Sequence, residues 1–219
     1  MKNVVYALMT VILLSCSGSV HKGEPDYPDI LTPETISFLL SEKPEEVDAG
    51  LYLYRNRLTR PLVERFYTGV TADVEITDAI LAAADNHSIS LPLAFSLAWA
   101  ESSYRVRALN YNTHSVDRGL FQLNSRTFPD LREEQFYDPR TNAEYGLAHF
   151  SYCIDVGKTE VVALAMYNAG VNRVRRGTPY STLRYVAKIL DNERKLLEAF
   201  EQLLTDNGEI AKVLVNLPS

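Results

Sequence analysis

Cysteine is scarce in this chain, with two in 219 residues, at Cys16 and Cys153. Should Cys16 carry a modification, no intramolecular disulfide can form, and stability has to come from packing. Cys153 falls in the apolar series Ala143, Leu147, Phe150 and Ile154, which suits a buried structural thiol rather than a nucleophile. The histidines are few and scattered, His21, His87, His114 and His149, with neither HExxH nor Cys/His ligand spacing. Nothing therefore argues for a metal, and no cofactor is expected. Positive charge is also short. Lys and Arg number 22 against 28 Asp and Glu, the net charge is −6, and no dense basic run offers a field for phosphates. Nucleic acid is excluded as an expected partner.

A bilayer-spanning run is missing too, since the apolar stretch Val4 to Leu14 falls well short of the ~20 residues a spanning helix needs. Preceded by Lys2, that stretch has instead the charge-then-hydrophobe layout of a secretory signal. It ends in Leu13-Leu14-Ser15-Cys16, which resembles the lipobox of bacterial lipoproteins, where cleavage exposes a cysteine that is then acylated. The resemblance implies a signal peptide over residues 1–15 and lipid on Cys16. It also implies an exported protein held on a membrane of the cell envelope by that lipid, on the periplasmic face, the outer membrane included. The alternative is an ordinary signal with a chance cysteine. Residues 16–31, rich in Ser, Gly, Pro and charge, read as a tether.

What remains has the composition of an ordinary globular domain, 46% hydrophobic and 23% charged. From Thr32-Pro33 onward the punctuation is helical. Thr32 is a candidate N-cap before Ile36, Leu39 and Leu40, and residues 45–68 read as a second helix, so 32–70 form an N-terminal helical segment. A helix over 73–87 presents Ile76, Ala79, Ile80, Ala83 and Ala84, and the next begins at Ser90 with Pro92 in its first turn and runs toward Glu101. Asp138-Pro139 starts another, Thr159 caps one that ends at Gly170, and Thr182 starts a long one carrying Val186, Ile189, Leu190, Leu197 and Phe200. Periodicity fails between about 105 and 120, where Asn, Thr, Ser and Gly gather, which predicts a loop or small β-hairpin. The expected fold is all-α, with a main domain over 71–205 and a C-terminal tail, residues 206–219, whose apolar stretch Ile210 to Leu217 has no assigned role.

Glu101 is the residue with chemistry. Ala94, Leu97, Ala98 and Glu101 stand at i, i+3, i+4 and i+7, so the carboxyl projects from a small and apolar helical face. It also lies near the negative end of that helix. Desolvation and dipole both raise its pKa, which is what a general acid at neutral pH requires. Taken alone, a glutamate at a solvated helix end is the commoner arrangement.

Neighbouring motifs change that balance. Ala100-Glu101-Ser102-Ser103-Tyr104 is followed by Asp117-Arg118-Gly119-Leu120-Phe121-Gln122-Leu123-Asn124. Then come Tyr137-Asp138-Pro139-Arg140-Thr141-Asn142 with Gly146, Ala165-Met166-Tyr167-Asn168-Ala169-Gly170, and Thr182-Leu183-Arg184-Tyr185-Val186. In that order they resemble the signature of lytic transglycosylases with the soluble-lytic-transglycosylase (SLT) catalytic domain, over roughly 85–190. The resemblance implies a lysozyme-like domain, peptidoglycan glycan strands as substrate, and Glu101 as the catalytic acid. It further implies that Ser102 positions substrate, that Gln122 lines the groove, that the Tyr167–Asn168 pair sits beside the acid with the phenol bonded to it, and that Tyr185 is a groove tyrosine. Phe121 stands where the family commonly has methionine, so the groove wall is expected to differ there.

Asp117 leaves two reactions open. Glu-Ser with a downstream Asp-x-Gly-x-x-Gln-x-Asn-Ser-Arg also resembles the animal-type lysozyme site, in which a second carboxylate takes part in hydrolysis. In the transglycosylase route the substrate's own N-acetyl group supplies the internal nucleophile, and the C6 hydroxyl of N-acetylmuramic acid closes a 1,6-anhydro ring. The expected function is a lytic transglycosylase cutting the bond between N-acetylmuramic acid and N-acetylglucosamine. The alternatives are a hydrolytic muramidase using Glu101 and Asp117, or a non-catalytic peptidoglycan-binding lipoprotein. Protein partners cannot be named from the sequence.

Overall fold

A computed structural model of the protein describes residues 31–206. The signal peptide, Cys16, residues 16–30 of the tether and residues 207–219 of the tail lie outside the described residues. Leu31, expected at the end of the tether, is buried with the core.

Helix α1 (Pro33–Ser41) starts as expected: the Thr32 hydroxyl accepts from the Thr35 amide, and Pro33 sits in the first turn, where its missing N–H leaves nothing unpaired. The single helix expected over 45–68 is two, α2 (Ala49–Arg55) and α3 (Arg60–Thr71). Asn56 ends α2 in an extended conformation, and the buried Thr59 donates its hydroxyl to the Leu53 carbonyl at 2.6 Å, fixing the turn. Asp73 caps α4 (Val74–His87) by accepting from the Ile76 amide. Helix α5 (Leu91–Ser102) begins behind Ser90, with Pro92 in its first turn.

Past α5 the chain forms three short strands, β1 (Leu109–Tyr111), β2 (Val116–Arg118) and β3 (Leu123–Asn124), in an antiparallel sheet of that order. The expected loop or hairpin is therefore a hairpin with one further strand. A 3-10 turn, Glu133–Phe136, leads into α6 (Pro139–Gly157), where Asp138 caps the Thr141 amide. Thr159 caps α7 (Glu160–Ala169). A short α8 (Val171–Arg176), which hydrophobic periodicity did not reveal, lies between Gly170 and Gly177, both at positive φ. Helix α9 (Tyr180–Thr205) starts behind Pro179, two residues before the expected Thr182, whose hydroxyl is engaged elsewhere.

The molecule is built round α5, in which every residue from Leu91 to Ala98 is buried. A helix apolar on all sides has to be wrapped by others. Helix α9 runs along it and also touches α7 and α1, α4 lies along α6, and α7 lies on α6. The N-terminal segment joins the same core, α2 meeting α5 and α3 meeting α4. Tyr67 of α3 illustrates the join: it is fully buried and stacked on Phe95 of α5 at 4.1 Å. At the same seam Glu193 of α9 faces Glu160, and burial first, then the charge of Glu160, push its carboxyl upward. No described helix is long and apolar enough to cross a membrane.

Candidate active site

Helix α5 ends at the wall of a cavity of about 780 Å³, lined among others by Glu101, Asp117, Gln122, Asn124, His149, Tyr167 and Asn168. The chain turns sharply there. Ser103 and Tyr104 both take left-handed backbone (φ 52° and 62°), a conformation costly for residues with a Cβ, and Ser103 N–H closes the helix on the Trp99 carbonyl. Gln122 is left-handed as well, at φ 48°. Of these three, Gln122 lines the cavity, while Ser103 and Tyr104 follow directly on the helix end that carries Glu101.

Glu101 opens onto the cavity but is crowded by protein on its other sides. Burial pushes its carboxyl up from the ordinary 4.5 to about 7. The hydrogen bond from Tyr185 pulls it back, the charge of Asp117 adds to the rise, and Lys188 opposes it. Lys188 itself is drawn onto the face of Trp99, its Nζ 4.1 Å from the ring centre. The carboxyl thus exchanges its proton near neutral pH, as the sequence led one to expect.

Asp117 is held quite differently. In the sheet register Asn110 pairs with Asp117 across β1 and β2, and Asp117 with Asn124 across β2 and β3, so the three polar side chains form one cross-strand row. Asn110 and Asn112 donate their amides to Oδ2 of Asp117 at 3.1 and 2.8 Å, and Asn124 donates to Oδ1 at 2.6 Å. A carboxylate has about four lone-pair sites, so about one remains.

The turn carrying Gln122 is fastened by one buried side chain. Asn142, in the first turn of α6, accepts from the Phe121 amide at 2.7 Å and donates to the carbonyls of Phe136 and Arg118 at 2.7 and 3.1 Å. Two glycines make the approach possible. A Cβ at Gly119 (φ 80°) would stand 2.0 Å from the Phe136 carbonyl oxygen and 2.3 Å from Asn142, and one at Gly146 would stand 2.5 Å from the Phe121 ring stem. The Gln122 amide donates back to the Gly119 carbonyl at 2.9 Å while its side chain lines the cavity.

Three expectations need correction. The phenol that bonds Glu101 is Tyr185, on α9, whereas Tyr167 donates to the Phe121 carbonyl at 2.8 Å. Tyr167 lines the cavity, but its hydroxyl is satisfied by backbone, as buried phenols require. Tyr185 is not among the cavity-lining side chains and instead stands behind the acid, on the long helix packed along α5. Ser102 is buried at 1% exposure, with its hydroxyl on the Ala98 carbonyl at 3.2 Å, and is absent from the lining. One position past Glu101 the helix rotates it by about 100° into the core. Asn168 does line the cavity, and its side-chain oxygen accepts from Thr182 at 2.9 Å, tying the end of α7 to α9.

Sequence reasoning missed the donor set around Asp117 and the aromatic wall. Asn110 and Asn112 carried no signal beyond their composition, because only strand register brings them to Asp117. His149 and Phe128 line the cavity with ring centres 5.8 Å apart, and His149 is tilted against Tyr167 at 5.4 Å. Burial holds the His149 imidazole below its usual pKa. Its position four residues after Tyr145 on α6 was the available clue. Among the described residues no three His, Cys, Asp or Glu side chains converge as a metal ion would need.

A buried acid on a helix end, a small sheet and a polar cavity thus make up the site. Residues 78–184 match the Transglycosylase SLT domain. No curated protein matches the chain. The SLT match begins within α4 and takes in Glu101, Asp117, Gln122, Asn142, Tyr167 and Asn168, stopping just before Tyr185. The fold is accordingly that of an SLT, lysozyme-like domain, mainly helical with a small antiparallel sheet at the site. SLT domains are those of lytic transglycosylases that act on peptidoglycan, and the match supports an enzyme of this peptidoglycan-acting type.

Proposed function

We propose that the protein is a lytic transglycosylase that cleaves the β-1,4 bond between N-acetylmuramic acid and N-acetylglucosamine without water, leaving 1,6-anhydro ends. The observation that carries the reading is a single carboxyl, Glu101, that keeps a proton near neutral pH and faces a polar cavity of glycan size. Such a group donates its proton to the glycosidic oxygen as the C1–O bond breaks. The carbonyl oxygen of the N-acetyl group on the same muramic acid then bonds to C1. Glu101, now a carboxylate, takes the proton of the C6 hydroxyl, whose oxygen displaces the acetamido oxygen at C1 and closes the anhydro ring. Tyr185 donates to the carboxylate throughout, and is a positioning residue rather than a catalytic one.

The state of Asp117 favours this route over hydrolysis. A nucleophile or a base for water needs lone pairs free to meet the substrate, and three asparagine amides occupy most of those on Asp117. Its charge still supports the positive character that develops at C1, and it raises Glu101. Mass spectrometry of muropeptides released by the protein tests the reading. Products one water lighter than hydrolytic ones are expected, and reducing-end products alone would overturn it in favour of a muramidase.

On the same reading residues 71–205 are the catalytic unit, 32–70 an added helical segment, and Cys16 a lipid anchor that keeps the exported enzyme on the envelope near its substrate. Replacement of Cys16 by alanine is expected to abolish metabolic lipid labelling, and labelling that persists would remove the anchor from the proposal.

A further inference from the structure

Tyr145, His149 and Tyr152 of α6 are spaced four and three residues apart, so they share one face of the helix. That face is not the core face, which is made by Ala143, Leu147, Phe150 and Cys153. Phe128, from the segment after β3, sets its ring edge-on between the first two, 5.7 Å from Tyr145 and 5.8 Å from His149, with interplanar angles of 86° in both cases. His149 in turn lies nearly parallel to Tyr152, at 6.1 Å and 21°. Four rings thus stand in file, each touching the next. The middle pair lines the cavity around Glu101, while the outer two, Tyr145 and Tyr152, leave 42% and 52% of their surface to solvent.

Isolated exposed tyrosines need no explanation, but a contiguous file that leads out of a cavity does. The file presents flat ring faces along its length, and burial lowers the pKa of the His149 imidazole at its centre. The same cavity is also lined by the amide side chains of Asn110, Asn112, Asn124 and Gln122. A chain of N-acetylated pyranose sugars has this same division: apolar ring faces, and edges of hydroxyl and acetamido groups.

We propose that Tyr145, Phe128, His149 and Tyr152 form a stacking strip that binds the glycan beyond the bond being cut, extending the reactive cavity along α6. The proposal rests on the peptidoglycan-cleaving reading above and adds where the strand runs. Aromatic faces meet the carbon-bound hydrogens of successive sugars, while the polar ends of the tyrosines stay in water.

Calorimetric titration of the full chain carrying Glu101→Gln, with a disaccharide and a hexasaccharide of N-acetylglucosamine, tests it without turnover. Adding Tyr145→Ala and Tyr152→Ala is expected to weaken hexasaccharide binding about tenfold, the equivalent of about 1.4 kcal/mol, and to spare the disaccharide. Tyr145→Phe with Tyr152→Phe, which keeps both rings, is expected to retain hexasaccharide affinity. Phe38→Ala, which removes an exposed ring from α1, serves as the control for loss of surface apolarity. The strip is refuted if the alanine pair binds the hexasaccharide as the parent does, if it loses both sugars equally, or if the phenylalanine pair fails as the alanine pair does. A parent that binds neither sugar would overturn the glycan reading itself.

Discussion

Two carboxylates face one cavity, and the fold treats them in opposite ways. Glu101 is carried by the most buried of the described helices, has one hydroxyl donor, and is pushed up to about 7. Asp117 is carried by a short sheet at the rim and has three amide donors. Removing water while withholding donors makes a group that exchanges a proton near neutrality. Surrounding a carboxylate with amide donors occupies most of the lone pairs it would need to react. An acid and a charge can therefore share one wall without both being reactants.

The most severe way to break this contrast is Glu101→Gln. Turnover is expected to fall by about a thousandfold, measured as muropeptide release, since the amide keeps the shape and gives no acidic proton. Folding should respond in the other direction. The folded protein holds the Glu101 proton more tightly than the unfolded chain does, so this contribution to stability is complete below the ordinary pKa of 4.5 and is lost as pH rises through about 7. Glutamine has no such dependence. Thermal melting of the variant relative to the parent should therefore improve between pH 4.5 and 7, by a difference on the order of 3 kcal/mol at most. A gap that does not change with pH would show that Glu101 is not desolvated.

Tyr185→Phe probes the single donor. It is expected to lower the maximal rate about tenfold to a hundredfold, the scale of a hydrogen bond to a charged group. Because that bond holds the carboxyl down, its loss should also move the alkaline limb of the pH–rate profile upward. A merely structural tyrosine would lower the rate and leave the limb in place.

Asp117→Asn should have the smallest effect, a loss of less than about tenfold, since a bound charge is removed and no reactant is. The negative charge that raised Glu101 would be gone, so the alkaline limb should move downward, opposite to the shift of Tyr185→Phe. A loss as complete as that of Glu101→Gln would make Asp117 a reactant and erase the distinction between the two carboxylates.

Much of the helical framework could be read from local chemistry. Thr32, Asp138 and Thr159 each cap the helix that their position announced, because a cap is a contact between residues three apart. Glu101 was legible for a similar reason: four residues of one helical face sufficed to place it against apolar neighbours. The helix expected over 45–68 was divided because the Thr59 hydroxyl reaches Leu53, a local turn with no strong sequence mark. Ser102 and Tyr167 were misplaced through resemblance alone. The motif names the residues that stand near the acid but not which phenol turns toward it, and a serine one step along the helix faces elsewhere.

By itself, then, the sequence determined where several helices start and that one glutamate lies on a buried stripe. Both depend on neighbours within a turn or two. Only the tertiary structure decided which tyrosine serves Glu101, that three asparagines hold Asp117, that Asn142 pins the Gln122 turn, and that four rings line up along α6. The Tyr185–Glu101 bond joins residues 84 positions apart, and the Asp117 donors depend on strand register. Such contacts are fixed by how whole elements pack, which no window of the sequence contains.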